Sequence, residues 1–281
     1  MAFNPAALLA HQFPDIRQSY QPRDAILYAL GIGLGHDPLA PRDLKYLLET
    51  DLSVLPTMAV TLGTPGMWIR ETKFGVGFTQ LVHSAQAAIF HAPLPPKADV
   101  VASARILSLT DRGEGKGAVL ALERQIRDEQ TETPYCTLQQ TLLLRADGGF
   151  GGTRPEKLLP PTIPVRAPDF ESSFETSPRA ALIYRLSGDL NPLHSHPEVA
   201  AKAGFARPIL QGLCSYGIAG WVLSQAFGGS QLKSLALRFA GVITPGDVVT
   251  FSIWRDGEQA VFEAKAAGRT VLDQGVAAFA A

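Results

Sequence analysis

Apolar residues recur along this chain at two different periods. Residues 23–30 carry helical spacing, with Asp24 in the first turn, and the glycines of Gly31-Ile32-Gly33-Leu34-Gly35 end the pattern. A second helix is expected through 43–49, and Leu55-Pro56-Thr57 opens a short apolar segment that reaches Gly63. From 78 to 145 the pattern turns strand-like. Segments 78–90, 100–109, 118–127 and 137–144 are separated by polar turns such as Thr110-Asp111-Arg112-Gly113-Glu114-Gly115, the mark of an antiparallel sheet.

Residues 146–168 change character, with glycines at 148, 149, 151 and 152 and prolines at 155, 160, 161, 164 and 168. That composition predicts a linker. The organisation then repeats: an extended or mixed segment at 175–186, a long apolar helix over 208–227 closed by Gly228-Gly229, and strands at 235–239, 248–254, 260–267 and 271–279. Phe90, a proline turn and Asp99-Val100-Val101 parallel Phe239, Pro245 and Asp247-Val248-Val249. Repeats of this length mean two similar domains, not a solenoid. The expected division is 1–145, linker 146–168 and 169–281.

The helix over 208–227 is apolar almost all the way round, through Ile209, Leu210, Leu213, Cys214, Ile218, Trp221, Val222, Leu223 and Phe227. Such a helix must be enclosed, because one exposed face would leave a large apolar patch. A curved antiparallel sheet wrapped around it meets that need and makes the class α+β. The first-half equivalent, around 56–68, is broken by Gly63, Pro65 and Gly66, so that helix is expected to be degenerate.

Composition narrows the partners. A net charge of −1 removes any electrostatic reason to expect nucleic acid or an anionic membrane. No apolar run approaches the ~18 residues of a membrane span. The start, Met1-Ala2-Phe3-Asn4-Pro5, lacks signal-peptide character, and the final residues carry no peroxisomal tripeptide, so a soluble cytoplasmic protein is expected. Cys136 and Cys214 form neither a disulfide framework nor a zinc spacing and read as reduced buried thiols.

The chemistry gathers in Gly188-Asp189-Leu190-Asn191-Pro192-Leu193-His194. Asn191 before Pro192 fits a helix cap followed by proline at the first helical position. Asp189 then lies on the incoming loop and His194 on the first turn, and their side chains can converge. A carboxylate and an imidazole make an acid–base pair near neutral pH. By itself the cluster reads more readily as a cap beside a packed histidine than as a catalytic site. Its company favours chemistry: a buried helix follows, with Gly212 near its N-terminal end, where free N–H groups favour a developing negative oxygen. The first half has no counterpart of this cluster. Two look-alikes fail. Gly31 to Gly35 follows no strand and continues into His36, and Gly212-Leu213-Cys214-Ser215-Tyr216-Gly217 lacks the spacing of a nucleophile elbow.

The run Tyr184-Arg185-Leu186-Ser187-Gly188-Asp189-Leu190-Asn191-Pro192-Leu193-His194 with Ala200 resembles the signature of the MaoC-like, or type 2, enoyl-CoA hydratases. Gly204-Phe205, Pro208-Ile209-Leu210, Gly212-Leu213-Cys214 with Gly217, Arg238-Phe239 and Pro245-Gly246 extend the likeness, as do Leu55-Pro56-Thr57 and the segment 78–86. The resemblance implies a double hot-dog fold and the addition of water to trans-2-enoyl-CoA, giving (3R)-3-hydroxyacyl-CoA. It implies Asp189 and His194 as the catalytic pair, Asn191 as its orienting or substrate-binding partner and Gly212 N–H as the oxyanion donor. Leu55, Pro56, Leu190, Pro192, Leu193 and Phe239 would contact the acyl-CoA substrate, in a pocket that the degenerate first-half helix leaves open. No cofactor and no metal are implied, and a homodimer is possible.

The chain departs from that pattern at His196, where aspartate is usual, at Gln211, where histidine is common, and at Gln80, where some members carry a lysine. His194 and His196 at i, i+2 do not share a helix face, which disfavours a metal. For the coenzyme phosphates, Arg185, Arg207 and Arg238 are the candidate cations. The rival functions are an acyl-CoA thioesterase and a non-catalytic acyl-thioester binder. The first needs a carboxylate on the central helix, and 212–227 contains none; the second has no need of an Asp/His pair.

Overall fold

The computed structural model describes residues 2–152 and 160–280, so 153–159 of the expected linker lie outside the described residues. Among the described residues there are ten strands: β1 (Ile16–Tyr20), β2 (Leu81–Phe90), β3 (Ala98–Asp111), β4 (Ala118–Asp128), β5 (Pro134–Leu144), β6 (Phe170–Glu175), β7 (Leu232–Phe239), β8 (Val248–Asp256), β9 (Gln259–Ala266) and β10 (Arg269–Phe279). They form one sheet in the order β1-β3-β4-β5-β2-β7-β10-β9-β8-β6. Outward from the central β2–β7 pair, the two sides read β2-β5-β4-β3-β1 and β7-β10-β9-β8-β6. The order is the same, displaced by five strands, and it gives the internal repeat a topology. The seam is antiparallel, with Ala85 opposite Arg238 and Ile89 opposite Ser234.

Among the described residues six α-helices accompany the sheet: α1 (Pro5–Leu9), α2 (Pro22–Ile32), α3 (Pro41–Leu44), α4 (Ala180–Tyr184), α5 (Pro197–Lys202) and α6 (Gly212–Ala226). The apolar helix expected over 208–227 is α6. Every residue from Cys214 to Leu223 is buried, so the sheet and its companions enclose it on all sides. Each large apolar side chain so enclosed contributes ~1.5–3 kcal/mol. Two glycines set how closely its neighbours approach. A Cβ on Gly217 would lie 2.6 Å from the Tyr28 hydroxyl and 2.7 Å from Ile32 Cγ2, and one on Gly220 would lie 2.6 Å from Thr57 Cγ2.

The first-half counterpart of α6 is a single 3-10 segment, Pro56–Thr61. It stops because Gly63 takes a left-handed φ of 54°, its N–H bonded to Gln18 Oε1 at 2.7 Å. The double hot-dog architecture therefore appears with one full central helix and one remnant. Helix α2 takes up space beside the remnant and packs on α4.

Strand β6 and the short helices α1 and α5 were not expected from the sequence, and three further segments differ from it. Strand β1 was not anticipated, because five residues are too few to establish a period; it pairs with the start of β3. The mixed segment at 175–186 divides, with extended backbone ending at Glu175 and a helix from Ala180, whose Ala180, Ala181 and Tyr184 are buried on one face. Segment 43–49 holds only the end of α3 followed by turns. Beyond β5, the Asp111 carboxylate accepts the N–H groups of Gly113, Gly149 and Gly151, which pins the first part of the glycine-rich stretch to the end of β3.

Candidate active site

The motif loop is held by backbone constraints at both ends. After α4, a 3-10 turn at Arg185–Ser187 ends at Gly188, whose φ of 113° only glycine adopts without strain. Asp189 follows and accepts the Asn191 N–H on Oδ1 at 3.2 Å. Asn191 in turn accepts the Leu193 N–H at 3.1 Å, capping the short 3-10 helix Pro192–His194. The helix seen in the motif is thus one 3-10 turn, and α5 begins three residues later.

This geometry brings Asp189 and His194 together. Asp189 Oδ2 lies 3.9 Å from His194 Nε2. That gap exceeds a direct hydrogen bond but suits a water shared between two acceptors. His194 is buried, while the Asp189 side chain is about 37% accessible. His194 Nδ1 sits 2.9 Å from the Ile209 carbonyl oxygen. A carbonyl only accepts, so Nδ1 carries a proton and Nε2 is the ring nitrogen left to face Asp189. Ile209 is itself positioned, because the next residue donates its N–H to Ile243 O at 2.8 Å.

Gly212 is the first residue of α6, and its N–H has no acceptor among the described residues. The Phe239 ring lies against its α-carbon, 3.4 Å from where a Cβ would stand. Across the seam His83 meets Phe239 edge to face, with ring centroids 5.1 Å apart. Gln211, which precedes Gly212, is fully buried and donates Nε2 to Ala181 O at 3.0 Å. It thereby ties the start of α6 to α4. Tyr184 is also fully buried, and burial raises its hydroxyl pKa well above the usual value, with further contributions from Tyr28, Cys214 and Asp189.

The remaining expected residues are scattered around this centre. Leu190 is 62% exposed beside Asp189, Pro192 is exposed and Leu193 is half-buried. Leu55 is buried in the main core and Pro56 opens the 3-10 remnant. A groove of about 240 Å³ adjoins the motif at Leu186, Ser187 and Gly188, and its far wall uses Met58, Thr61 and Leu62 of that remnant. These wall residues, one turn beyond Leu55 and Pro56, were missed from the sequence. His83 was missed too, although a histidine on the buried face of a strand was a visible signal.

His196 is exposed and precedes α5 without a side-chain capping bond. Among the described residues, no group of three or more His, Cys, Asp and Glu is placed to hold a metal. Of the candidate cations, Arg238 is paired with Asp273. No helix among the described residues is long and apolar enough to cross a membrane.

Comparison with known proteins gives the same picture for both halves. Residues 161–276 match the MaoC like domain, and residues 18–146 match the MFE-2 hydratase 2 N-terminal domain. The chain is 37% identical over 296 residues to 3-hydroxyacyl-thioester dehydratase Y of Mycobacterium tuberculosis, covering 100% of each. It is 35% identical to peroxisomal enoyl-CoA hydratase 2 of Arabidopsis thaliana, covering 96% of this chain and 94% of that one. Among solved structures, a MaoC-like dehydratase from Phytophthora capsici superposes with a TM-score of 0.84 at 28% identity, covering 99% of both chains.

Proposed function

The chain belongs to the MaoC-like family of type 2 enoyl-CoA hydratases and 3-hydroxyacyl-thioester dehydratases, and on that premise we propose that it adds water reversibly to a trans-2-enoyl-CoA to give the (3R)-3-hydroxyacyl-CoA. One observation carries the assignment of roles: with Nδ1–H engaged by Ile209 O, Nε2 is the acceptor of the neutral imidazole, and it lies 3.9 Å from Asp189 Oδ2.

A water held between those two acceptors has its oxygen lone pair directed outward. Attack on C3 of the enoyl thioester forms the C3–O bond as the C2=C3 π bond breaks. The electron pair moves through C2 onto the thioester oxygen, where the Gly212 N–H and the α6 dipole receive the charge. One proton leaves the water for the Asp189/His194 pair and one proton is returned to C2, so the pair ends as it began. Dehydration is the same path reversed. Asn191 is a positioning residue, because its N–H orients Asp189 and its side chain caps the turn that carries His194. No group beyond the thioester is needed as electron sink.

In this reading the two halves divide the work. The C-terminal half, 169–281, holds the chemistry. The N-terminal half, 1–145, has lost its central helix and accommodates the acyl chain along the 3-10 remnant, through the groove that adjoins Gly188.

The test follows enoyl-thioester absorbance with crotonyl-CoA and a longer trans-2-enoyl-CoA. Asp189→Asn and His194→Ala are each expected to lower kcat about 10²–10⁴-fold, the usual worth of positioned acid–base groups, with the melting temperature retained. Release of free CoA without hydration, unaltered in both variants, would sink the hydratase assignment and return the thioesterase.

A further inference from the structure

The inner face of the N-terminal half contains a polar file with one member left over. Along β4 the buried side alternates through Ala118, Leu120 and Leu122 and resumes at Ile126, which puts Arg124 on that same face. In β5 the alternation of Cys136, Leu138 and Leu142 places Gln140 there, and in β2 Gln86, Ala88 and Phe90 do the same. A register shift between His83 and Ala85 turns His83 back toward Gln86 and Gln140. Four polar side chains therefore occupy a surface that is otherwise leucine, alanine and phenylalanine.

Three of them are satisfied locally. His83 donates Nε2–H to Ala85 O at 3.0 Å and accepts Gln140 Nε2 on Nδ1 at 3.3 Å. Its ring is thus neutral, and burial pushes its pKa down to about 4. Gln86 is buried and donates to Ala87 O at 2.9 Å.

Arg124 is different. Its Nη2 donates to Val60 O in the 3-10 remnant at 2.7 Å, while its Nε is shielded from solvent and has no partner. No carboxylate pairs with it among the described residues. The adjacent Glu123 points to the opposite face and pairs with Arg105 at 2.7 Å. Burial lowers the Arg124 pKa to about 10, the sign of a cation short of compensation. Arg124 is half-buried with its Nε shielded from solvent, and an orphaned guanidinium N–H is less favourable there than an apolar side chain.

Arg124 lies behind one wall of a groove. Val60, whose carbonyl accepts Arg124 Nη2, stands between Met58 and Thr61, and those two residues line the groove whose other wall is Leu186, Ser187 and Gly188, directly before Asp189. On the other flank, His83 touches the Phe239 ring that covers Gly212. Arg124 thus stands behind the groove wall on one side, and His83 of the same polar face touches the ring over Gly212 on the other.

The geometry points to Arg124, supported by His83, Gln86 and Gln140, as a specificity site for an oxygen acceptor, a carboxylate or a carbonyl, borne on the acyl chain beyond the reacting double bond. This rests on the hydratase reading above. A guanidinium suits either group, since its planar N–H fork meets a carboxylate in pairs and a carbonyl singly. A methyl-terminated chain at the same place would leave the guanidinium desolvated and unpaired. Such mismatch is what lets a polar pocket reject an alkyl analogue.

The experiment compares kcat/KM for medium-chain trans-2-enoyl-CoAs in matched sets that end in methyl, in carboxylate or in a penultimate ketone, with crotonyl-CoA as a substrate too short to use the site. Wild type is expected to favour one oxygenated set over its methyl partner by at least about 10-fold at some chain length. Arg124→Met should erase that preference by losing rate on the oxygenated substrate, with crotonyl-CoA hydrated as before. Arg124→Lys, which keeps the charge and removes the fork, serves if the methionine variant does not fold; it should weaken the preference and spare crotonyl-CoA. Equal rates in wild type for all three termini at every length overturn the proposal. So does a loss in Arg124→Met or Arg124→Lys that falls on all substrates alike, which would mark Arg124 as a structural tie to Val60 only. A preference for carboxylate over ketone identifies charge as the feature read, and the reverse identifies the dipole. If crotonyl-CoA itself is not hydrated by wild type, the hydratase reading fails, separately from any statement about Arg124.

Discussion

His194 illustrates how a single hydrogen bond decides what a residue can do. Its Nδ1–H is engaged by the Ile209 carbonyl, so the free nitrogen is Nε2 and it faces Asp189. The pairing of residue types was legible in the motif; the tautomer was not, because Ile209 lies fifteen positions away and arrives only through the fold. Gly212 makes a similar point about space. A methyl added there would stand 3.4 Å from the Phe239 ring, an ordinary contact that the fold accepts. It would occupy the approach to the unpaired N–H. Gly212→Ala is therefore expected to melt within a few degrees of wild type while kcat/KM for crotonyl-CoA falls at least about 10-fold, a loss typical of disturbing one oxyanion donor. Unchanged kinetics would mean that the thioester does not approach α6 at this residue.

Among the elements, α6 was the most legible and its neighbours the least. Its lack of any polar face required burial, and from burial the wrapping sheet followed. What packs against it could not be read, because α2 reaches it from nearly two hundred residues earlier. Gly217 records that contact. Glycine in mid-helix is unfavourable by ~1 kcal/mol relative to alanine, so intrinsic propensity alone predicts that Gly217→Ala stabilises. The structure predicts the opposite. The new Cβ would lie 2.6 Å from the buried Tyr28 hydroxyl and 2.7 Å from Ile32 Cγ2, on a helix buried from Cys214 to Leu223. Overpacking of this kind costs ~1–3 kcal/mol, and a denaturant titration of Gly217→Ala should show a net loss. A net gain would show that α2 moves freely over α6.

At the scale of the molecule, the β2–β7 seam makes one folding unit of two repeats. Five register pairs join them from Ala85 opposite Arg238 to Ile89 opposite Ser234, and α6 packs across the same boundary on α2 and the 3-10 remnant. Proline at the centre of the seam, Ala236→Pro, removes a ladder N–H and is expected to cost ~3 kcal/mol or more. The thermal transition should remain single and move down as a whole. Two separated transitions, one near the wild-type temperature, would show that the halves melt independently. Periodicity revealed the repeat and its strands, and the residue types of 184–194 pointed to the candidate site, because both are local properties of consecutive residues. Three things were left to the tertiary structure: that the two halves share one continuous sheet, that the remnant of the first helix lines a groove beside Gly188, and that Arg124 stands under it without an acid. Each depends on which residues meet across distant strands, and register between strands is set by packing and turns that no single segment contains.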